Sequence, residues 1–260
     1  MKPTSTQSAI PLLEVGQLRK TFGGVKAVDG ISFSMNAGQM LAIIGPNGAG
    51  KTTCFNLLNG QLRPDAGKVR FLGQDVTGVV PRKMFRLGVG RTFQVAEAFT
   101  SMTVRENVQL ALISYHRKSM NIWMRAKRAF CEEADILLEQ VGLIDQAGRG
   151  SSILAYGDLK RLDLAIALAH SPRLVLMDEP TAGMASKERV ALMELTEQLV
   201  RARNVGVLFT EHDMDVVFRH ADEILVLHRG RVIAQGKPND IKNNQEVKEI
   251  YFGSRVKHAA

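Results

Sequence analysis

The stretch that most constrains this chain is GPNGAGKTT, residues 45–53, set between the apolar run MLAII and a helical run. A glycine-rich turn between a buried strand and a helix start aims several backbone N–H groups at one point. The helix N-terminus adds a field that favours an anion there. The spacing fits G-x-x-x-x-G-K-[ST], and the strand–turn–helix context is the one that pattern needs. Gly45, Pro46, Asn47, Gly48, Ala49 and Gly50 form the turn, Lys51 offers a point charge to β- and γ-phosphates, and the Thr52 hydroxyl, followed by Thr53, is a ligand for Mg²⁺. The expectation is a nucleoside-triphosphate site on an α/β scaffold.

The rest of the chain fits that scaffold. Short apolar runs such as RLVLMD, VGVLFT and DEILVLH read as buried strands. Helical runs over residues 51–59, 104–114, 123–141, 159–169, 187–201 and 214–220 alternate with them, which predicts a largely parallel sheet covered by helices. TVRE at 103–106 has the spacing of a capping box. Residues 95–169 break the alternation and read as helices only, an inserted helical subdomain. The polar tail after Asn239 reads as one last helix.

At 260 residues the chain is long enough for one large α/β domain or a core with a subdomain. No run of about 18 apolar residues predicts a membrane-spanning helix, and MKPTSTQSAIP lacks the apolar centre of a signal peptide. Cys54 and Cys131 have no metal-like spacing, which fits a reduced, cytoplasmic protein. The net charge of +8 suits phosphate ligands or a membrane surface. Apart from RAKR at 125–128 the basic residues are scattered, so no nucleic-acid partner is expected.

RLVLMDEP ends a strand in two acids. Ligands bind at strand ends in open α/β sheets, so Asp178 is placed to hold Mg²⁺ and Glu179 to polarise an attacking water as general base. His212 follows another apolar strand and reads either as a γ-phosphate contact that orders the water or as a structural histidine. Gln94, at the end of RTFQ, offers an amide oxygen to Mg²⁺. Phe22 reads as a base-stacking ring or as core.

These residues occur in an order that resembles the nucleotide-binding subunit of ATP-binding-cassette (ABC) transporters, over roughly residues 12–236. The resemblance implies a P-loop NTPase (RecA-like) core with an antiparallel β subdomain and an inserted helical subdomain. Residues 12–94 and 170–238 would form the core with its β subdomain, 95–169 the helical subdomain and 239–260 a C-terminal helix or tail, after an N-terminal tail at 1–11. It implies that Phe22 stacks on adenine, that residues 45–53 are Walker A, Gln94 the Q-loop, Asp178 the Walker B acid, Glu179 the catalytic glutamate and His212 the switch histidine.

LAYGD falls where that family carries LSGGQ. Ala155, Tyr156, Gly157 and Asp158 would then face an ATP bound to a second ATPase subunit in a head-to-tail dimer. Ala155 and Asp158 replace a serine and a glutamine, and Ala185 stands where many relatives have Asp or Asn. Asp158 reads two ways: it caps its own helix, or its charge opposes the partner's γ-phosphate. LAYG, EPTAGM, EHDMDVV and EVKEIYFG point to importers of branched-chain, hydrophobic amino acids, with urea and short-amide importers as the alternative. The implied partners are a like or unlike ATPase subunit, two membrane permeases and a periplasmic solute-binding protein. The implied place is the cytoplasmic face of the cell membrane, and the implied cofactors are ATP and Mg²⁺. A soluble ABC ATPase or a P-loop kinase or GTPase fits less well: the first usually has two cassettes or a coiled-coil insertion, and the second leaves LAYGD and His212 unexplained.

Overall fold

A computed structural model describes residues 10–92, 98–116 and 130–256. In chain order the described strands and helices are β1 (Leu13–Phe22), β2 (Val25–Met35), β3 (Met40–Ile44), α1 (Lys51–Leu58), β4 (Ala66–Phe71), β5 (Gln74–Asp75), α2 (Pro81–Leu87), β6 (Val89–Thr92), α3 (Val104–His116) and α4 (Cys131–Gln140). Then come α5 (Tyr156–Leu168), β7 (Leu174–Asp178), α6 (Ser186–Arg203), β8 (Gly206–Thr210), α7 (Met214–His220), β9 (Glu223–His228), β10 (Arg231–Gly236), α8 (Pro238–Asn243) and α9 (Gln245–Val256).

Two sheets result. A six-stranded sheet runs β10-β9-β3-β8-β7-β6, parallel except for the antiparallel edge strand β10. A four-stranded antiparallel sheet runs β2-β1-β4-β5. β3 lies between β8 and β9, so the strand order turns back on itself there, and a crevice opens at such a point.

Alternation along the central strands divides the interior into two cores. Successive strand residues point to opposite faces. Met40, Ala42 and Ile44 of β3, Val175 and Met177 of β7, and Val207 and Phe209 of β8 join the core shared with the helices α3 to α7. Leu41, Ile43, Leu174, Leu176 and Leu208 join the other, with Cys54 and Phe55 of α1 and the inner face of the four-stranded sheet. Because both faces are covered, β3, β7 and β8 read as unbroken apolar runs.

The architecture is the α/β P-loop NTPase fold with an antiparallel β sheet and a helical layer. It departs from the sequence expectations in four places. α2 was not foreseen. α5 begins at Tyr156, three residues ahead of the expected 159, because Tyr156 and Gly157 continue the helix rather than a turn. The segment read as helices only holds an isolated antiparallel bridge, Thr103 to Gly150, and two short 3₁₀ turns. The tail forms two helices, since Asn244 adopts an extended backbone between α8 and α9. No helix among the described residues is long and apolar enough to cross a membrane.

Candidate active site

The glycine-rich turn begins where β3 ends. Gly50 has φ 104°, and a Cβ there would lie 2.3 Å from the Ala27 carbonyl oxygen; a Cβ on Gly45 would lie 2.4 Å from that of Leu227. Only glycine fits these two places. A backbone bond of 2.9 Å from Gly230 N to the Ala49 carbonyl, and one of 2.8 Å from Asp29 N to the Gly230 carbonyl, fasten the turn to its surroundings. Gly48 is exposed, with nothing within 4 Å of where a Cβ would stand. That open side is where a ligand can approach the backbone.

Lys51 is 7% exposed. Its ammonium donates to the carbonyls of Gly45 at 2.7 Å and Pro46 at 3.3 Å. Burial pushes its pKa below the usual lysine range, and the negative charges of Glu179 and Asp178 oppose the drop. A buried ammonium bonded only to neutral carbonyls in this way is matched in charge by an incoming phosphate. Thr52 is exposed and Thr53 half-buried on the same turn. Val25, Lys26, Arg229, residues 47–53, Glu179 and His212 line a cleft of about 440 Å³.

The acids sit across the sheet. Asp178 ends β7 and pairs in register with Thr210, the last residue of β8. The buried Thr210 hydroxyl donates to Asp178 Oδ1 at 2.8 Å and accepts the backbone N–H of Glu179 at 3.0 Å. Glu179 turns sharply off the strand with φ 49°, a left-handed conformation that costs a non-glycine residue roughly 1–2 kcal/mol. The turn carries its carboxylate to His212, with Oε1 to Nε2 at 2.7 Å. Such strain is kept where the surrounding structure imposes it, commonly at functional sites.

Two supports were not foreseen. Glu211 is 4% exposed and accepts from Thr181 twice, from N at 2.8 Å and Oγ1 at 2.6 Å, and from His212 N at 3.1 Å. It fixes both strand-end loops. Lys160 of α5 is buried with its ammonium 5.7 Å from the Tyr156 ring centroid. Burial lowers its pKa, while Asp163, Glu211, Asp178 and Glu179 pull it back up. An acid directly after the end of an apolar strand was the signal available for Glu211.

The remaining predicted residues fall as follows. Phe22 is 46% exposed at the end of β1, opposite Val25 of the cleft, with the Lys20 ammonium 5.5 Å from its ring centroid. Gln94 lies outside the described residues. Ala155 takes the N-cap place of α5 and makes no side-chain cap. Asp158 does not cap the helix: it sits inside the first turn, and its Oδ2 accepts from Gln146 Nε2 at 2.8 Å. Its position still favours the helix dipole by about 0.3–1 kcal/mol. Tyr156 packs against Gly183, and Gly157 against Glu188. Glu188 accepts from Ala185 N at 3.2 Å, and Ala185 has no side-chain oxygen to complete the box.

A phosphate cradle, a buried lysine, a strand-end acid pair and a histidine on the second acid are together equipped to bind and hydrolyse a nucleoside triphosphate. Known proteins agree. The family model described as ABC transporter matches residues 28–182, and that of the branched-chain amino acid ATP-binding cassette transporter matches residues 231–257. The high-affinity branched-chain amino acid transport ATP-binding protein BraF of Pseudomonas aeruginosa is 38% identical over 253 residues, 94% of this chain and 98% of that protein. A nucleotide-free ATP-binding cassette from an ABC transporter superposes with a TM-score of 0.83 at 32% identity, covering 93% of this chain and 98% of that one. A dimeric cassette in a post-hydrolysis state, bound to ADP and Pi, gives 0.73 at 27% identity over 87% of this chain and 98% of that one. The chain therefore belongs to the ABC transporter family and is one of its ATP-binding, ATP-hydrolysing subunits.

Proposed function

We propose that this subunit powers the import of branched-chain, hydrophobic amino acids. It acts at the cytoplasmic face of the cell membrane with two permeases, and a periplasmic solute-binding protein delivers the cargo. The names of its relatives and the match over residues 231–257 support the cargo; no residue of an ATPase subunit meets it. Residues 12–94 and 170–238 serve as the core with its β subdomain, 95–169 as the helical subdomain. Two ATPase subunits, like or unlike, close head to tail on two ATP molecules, each held between one P-loop and the other subunit's Ala155, Tyr156, Gly157 and Asp158. Hydrolysis parts them, and the permeases receive the movement through the groove between core and helical subdomain.

Within one subunit, Phe22 stacks on the base, and the backbone of residues 45–50 with Lys51 and Thr53 holds the phosphates. The donor set suits Mg²⁺. Among the described residues no group of three His, Cys, Asp or Glu can hold a metal, and Mg²⁺ is commonly held by only one or two carboxylates, with waters and substrate phosphates completing its shell. Thr52, Asp178 and Gln94 would hold the ion, which would neutralise charge on the phosphate oxygens when bound. Glu179 takes a proton from the attacking water. His212, with hydrogen on Nε2, donates to Glu179 and orients it.

The observation that carries this reading is the 2.7 Å contact of Glu179 with His212 at the cleft that Lys51 lines. Glu179→Gln should keep ATP binding and lower turnover by about 10²–10⁴-fold. A Gln variant that hydrolyses ATP at the wild-type rate removes Glu179 from the base role.

A further inference from the structure

The wall of the cleft away from the acids is basic. Val25, Lys26 and Arg229 line it together with residues 47–53, and both cations are exposed. Lys26 Nζ stands 3.9 Å from Asp29 Oδ2. That same oxygen accepts two hydrogen bonds from Arg231, at 2.9 and 2.7 Å. Among the described residues no carboxylate pairs with Arg229.

The backbone fixes where the Arg229 side chain starts. Arg229 occupies the turn between β9 and β10 with φ 46°, a left-handed conformation that glycine or asparagine adopts more readily. A Cβ on the next residue, Gly230, would lie 2.8 Å from the Lys26 carbonyl oxygen and 2.9 Å from that of Ala27. The Gly230 N–H is bonded to the Ala49 carbonyl. The turn is therefore wedged between β2 and the phosphate turn. A long cationic residue is kept on the rim of an anion seat, at a position whose backbone suits a small one. Such conformations persist chiefly at functional sites.

Strand order says which end of the nucleotide this rim meets. β9, which leads into Arg229, lies on one side of β3; β8 and β7, which lead into His212 and Glu179, lie on the other. Phe22, opposite Val25 in register, belongs to the Arg229 side. The γ-phosphate goes toward Glu179, so the ribose and the α-phosphate lie toward Arg229. We infer that Arg229 is a nucleotide-binding residue that pairs with the α-phosphate common to ATP and ADP. This rests on the reading of the cleft as the ATP seat. A guanidinium presents a planar fork that matches two phosphate oxygens. It holds substrate and product alike, so it adds affinity without acting on the chemical step.

The test uses the full chain carrying Glu179→Gln, so that ATP is bound and not consumed, and isothermal titration calorimetry with ATP and with ADP. Arg229→Asn, which tolerates the left-handed turn, should weaken both nucleotides by the same factor, roughly three- to five-fold. Arg229→Lys should restore most of that loss, and added salt should narrow the gap between Arg229→Asn and the parent. With Glu179 intact, the loss should fall on KM for ATP and not on kcat. A loss confined to ATP, a fall in kcat at constant KM, or parental affinity for both nucleotides overturns the inference. Should Arg229→Asn lower the nucleotide-free Tm, Arg229→Gly, which fits φ 46° without strain, decides in its place by the same outcomes. Lys51→Ala separates the two levels. If it leaves ATP affinity at the parent value, the reading of the cleft fails. If it weakens ATP and Arg229→Asn does not, only the role of Arg229 fails.

Discussion

Thr210 joins the two acids, and replacing it with valine isolates that joint. The residue is fully buried, and valine nearly matches its shape. The substitution removes a 2.8 Å hydrogen bond to the Asp178 carboxylate and leaves the N–H of Glu179 without its 3.0 Å acceptor. A bond to a charged group contributes about 1.5–3 kcal/mol and one between neutral groups about 0.5–1.5, so the loss is about 3 kcal/mol. For a chain of this size that lowers Tm by roughly 6–12 °C. Turnover should fall as well, because Glu179 keeps its left-handed turn partly through that N–H. Nucleotide-free thermal unfolding by circular dichroism and a phosphate-release assay measure the two effects. Thr210→Ser keeps the hydroxyl and should stay within about 1 kcal/mol of the parent, less the buried methyl. If valine leaves both Tm and turnover at parental values, the hydroxyl does not join the acids.

Further outcomes follow from single residues. Gly50→Ala places a Cβ 2.3 Å from a carbonyl oxygen at φ 104°, so nucleotide binding should be lost even where the chain folds; equilibrium binding of a fluorescent ATP checks this. His170 is 2% exposed, and burial pushes its pKa down from 6.5 to about 4. The unfolded chain therefore binds more protons, and stability falls as the pH drops from 6.5 toward 4, by up to about 3 kcal/mol. His170→Phe, which keeps a ring against Phe85, should flatten the urea midpoint over that range; an unchanged slope contradicts the assignment. Cys54 is fully buried with its thiol pushed up to about 12, so Ellman's reagent at pH 8 should spare it until the chain unfolds, while the part-exposed Cys131 reacts first.

What the sequence made legible was local. The nine residues of the P-loop carry their own geometry, since the glycines, the lysine and the preceding apolar strand suffice to place one another. The acids of RLVLMDEP are readable for the same reason: the strand that precedes them says where they end up. α2 left a fainter trace, Pro81 at its start and Gly88 just past its end, on a helix too short to show apolar periodicity. Asp158 shows the limit. Its helix start was visible and invited a cap, but its partner Gln146 lies twelve residues back across a 3₁₀ turn. Glu211 holds Thr181, 30 residues back along the chain, and no spacing rule within a short window joins them.

The fastening of the phosphate turn carries a consequence for synthesis of the chain. β3 lies between β8 and β9, and the turn after it is bonded to Gly230. Emerging from the ribosome, residues 40–53 therefore have neither neighbouring strand complete until about 155–175 residues more have followed. Nucleotide cannot stabilise the nascent amino-terminal half, because the seat that would receive it is closed by residues near the carboxyl end. A stalled or truncated product lacking β8 to β10 is left with an apolar strand exposed and no ligand to protect it, a substrate for chaperones and proteases rather than a weakened ATPase. The motif nearest the start of the chain thus becomes functional only when synthesis is nearly complete.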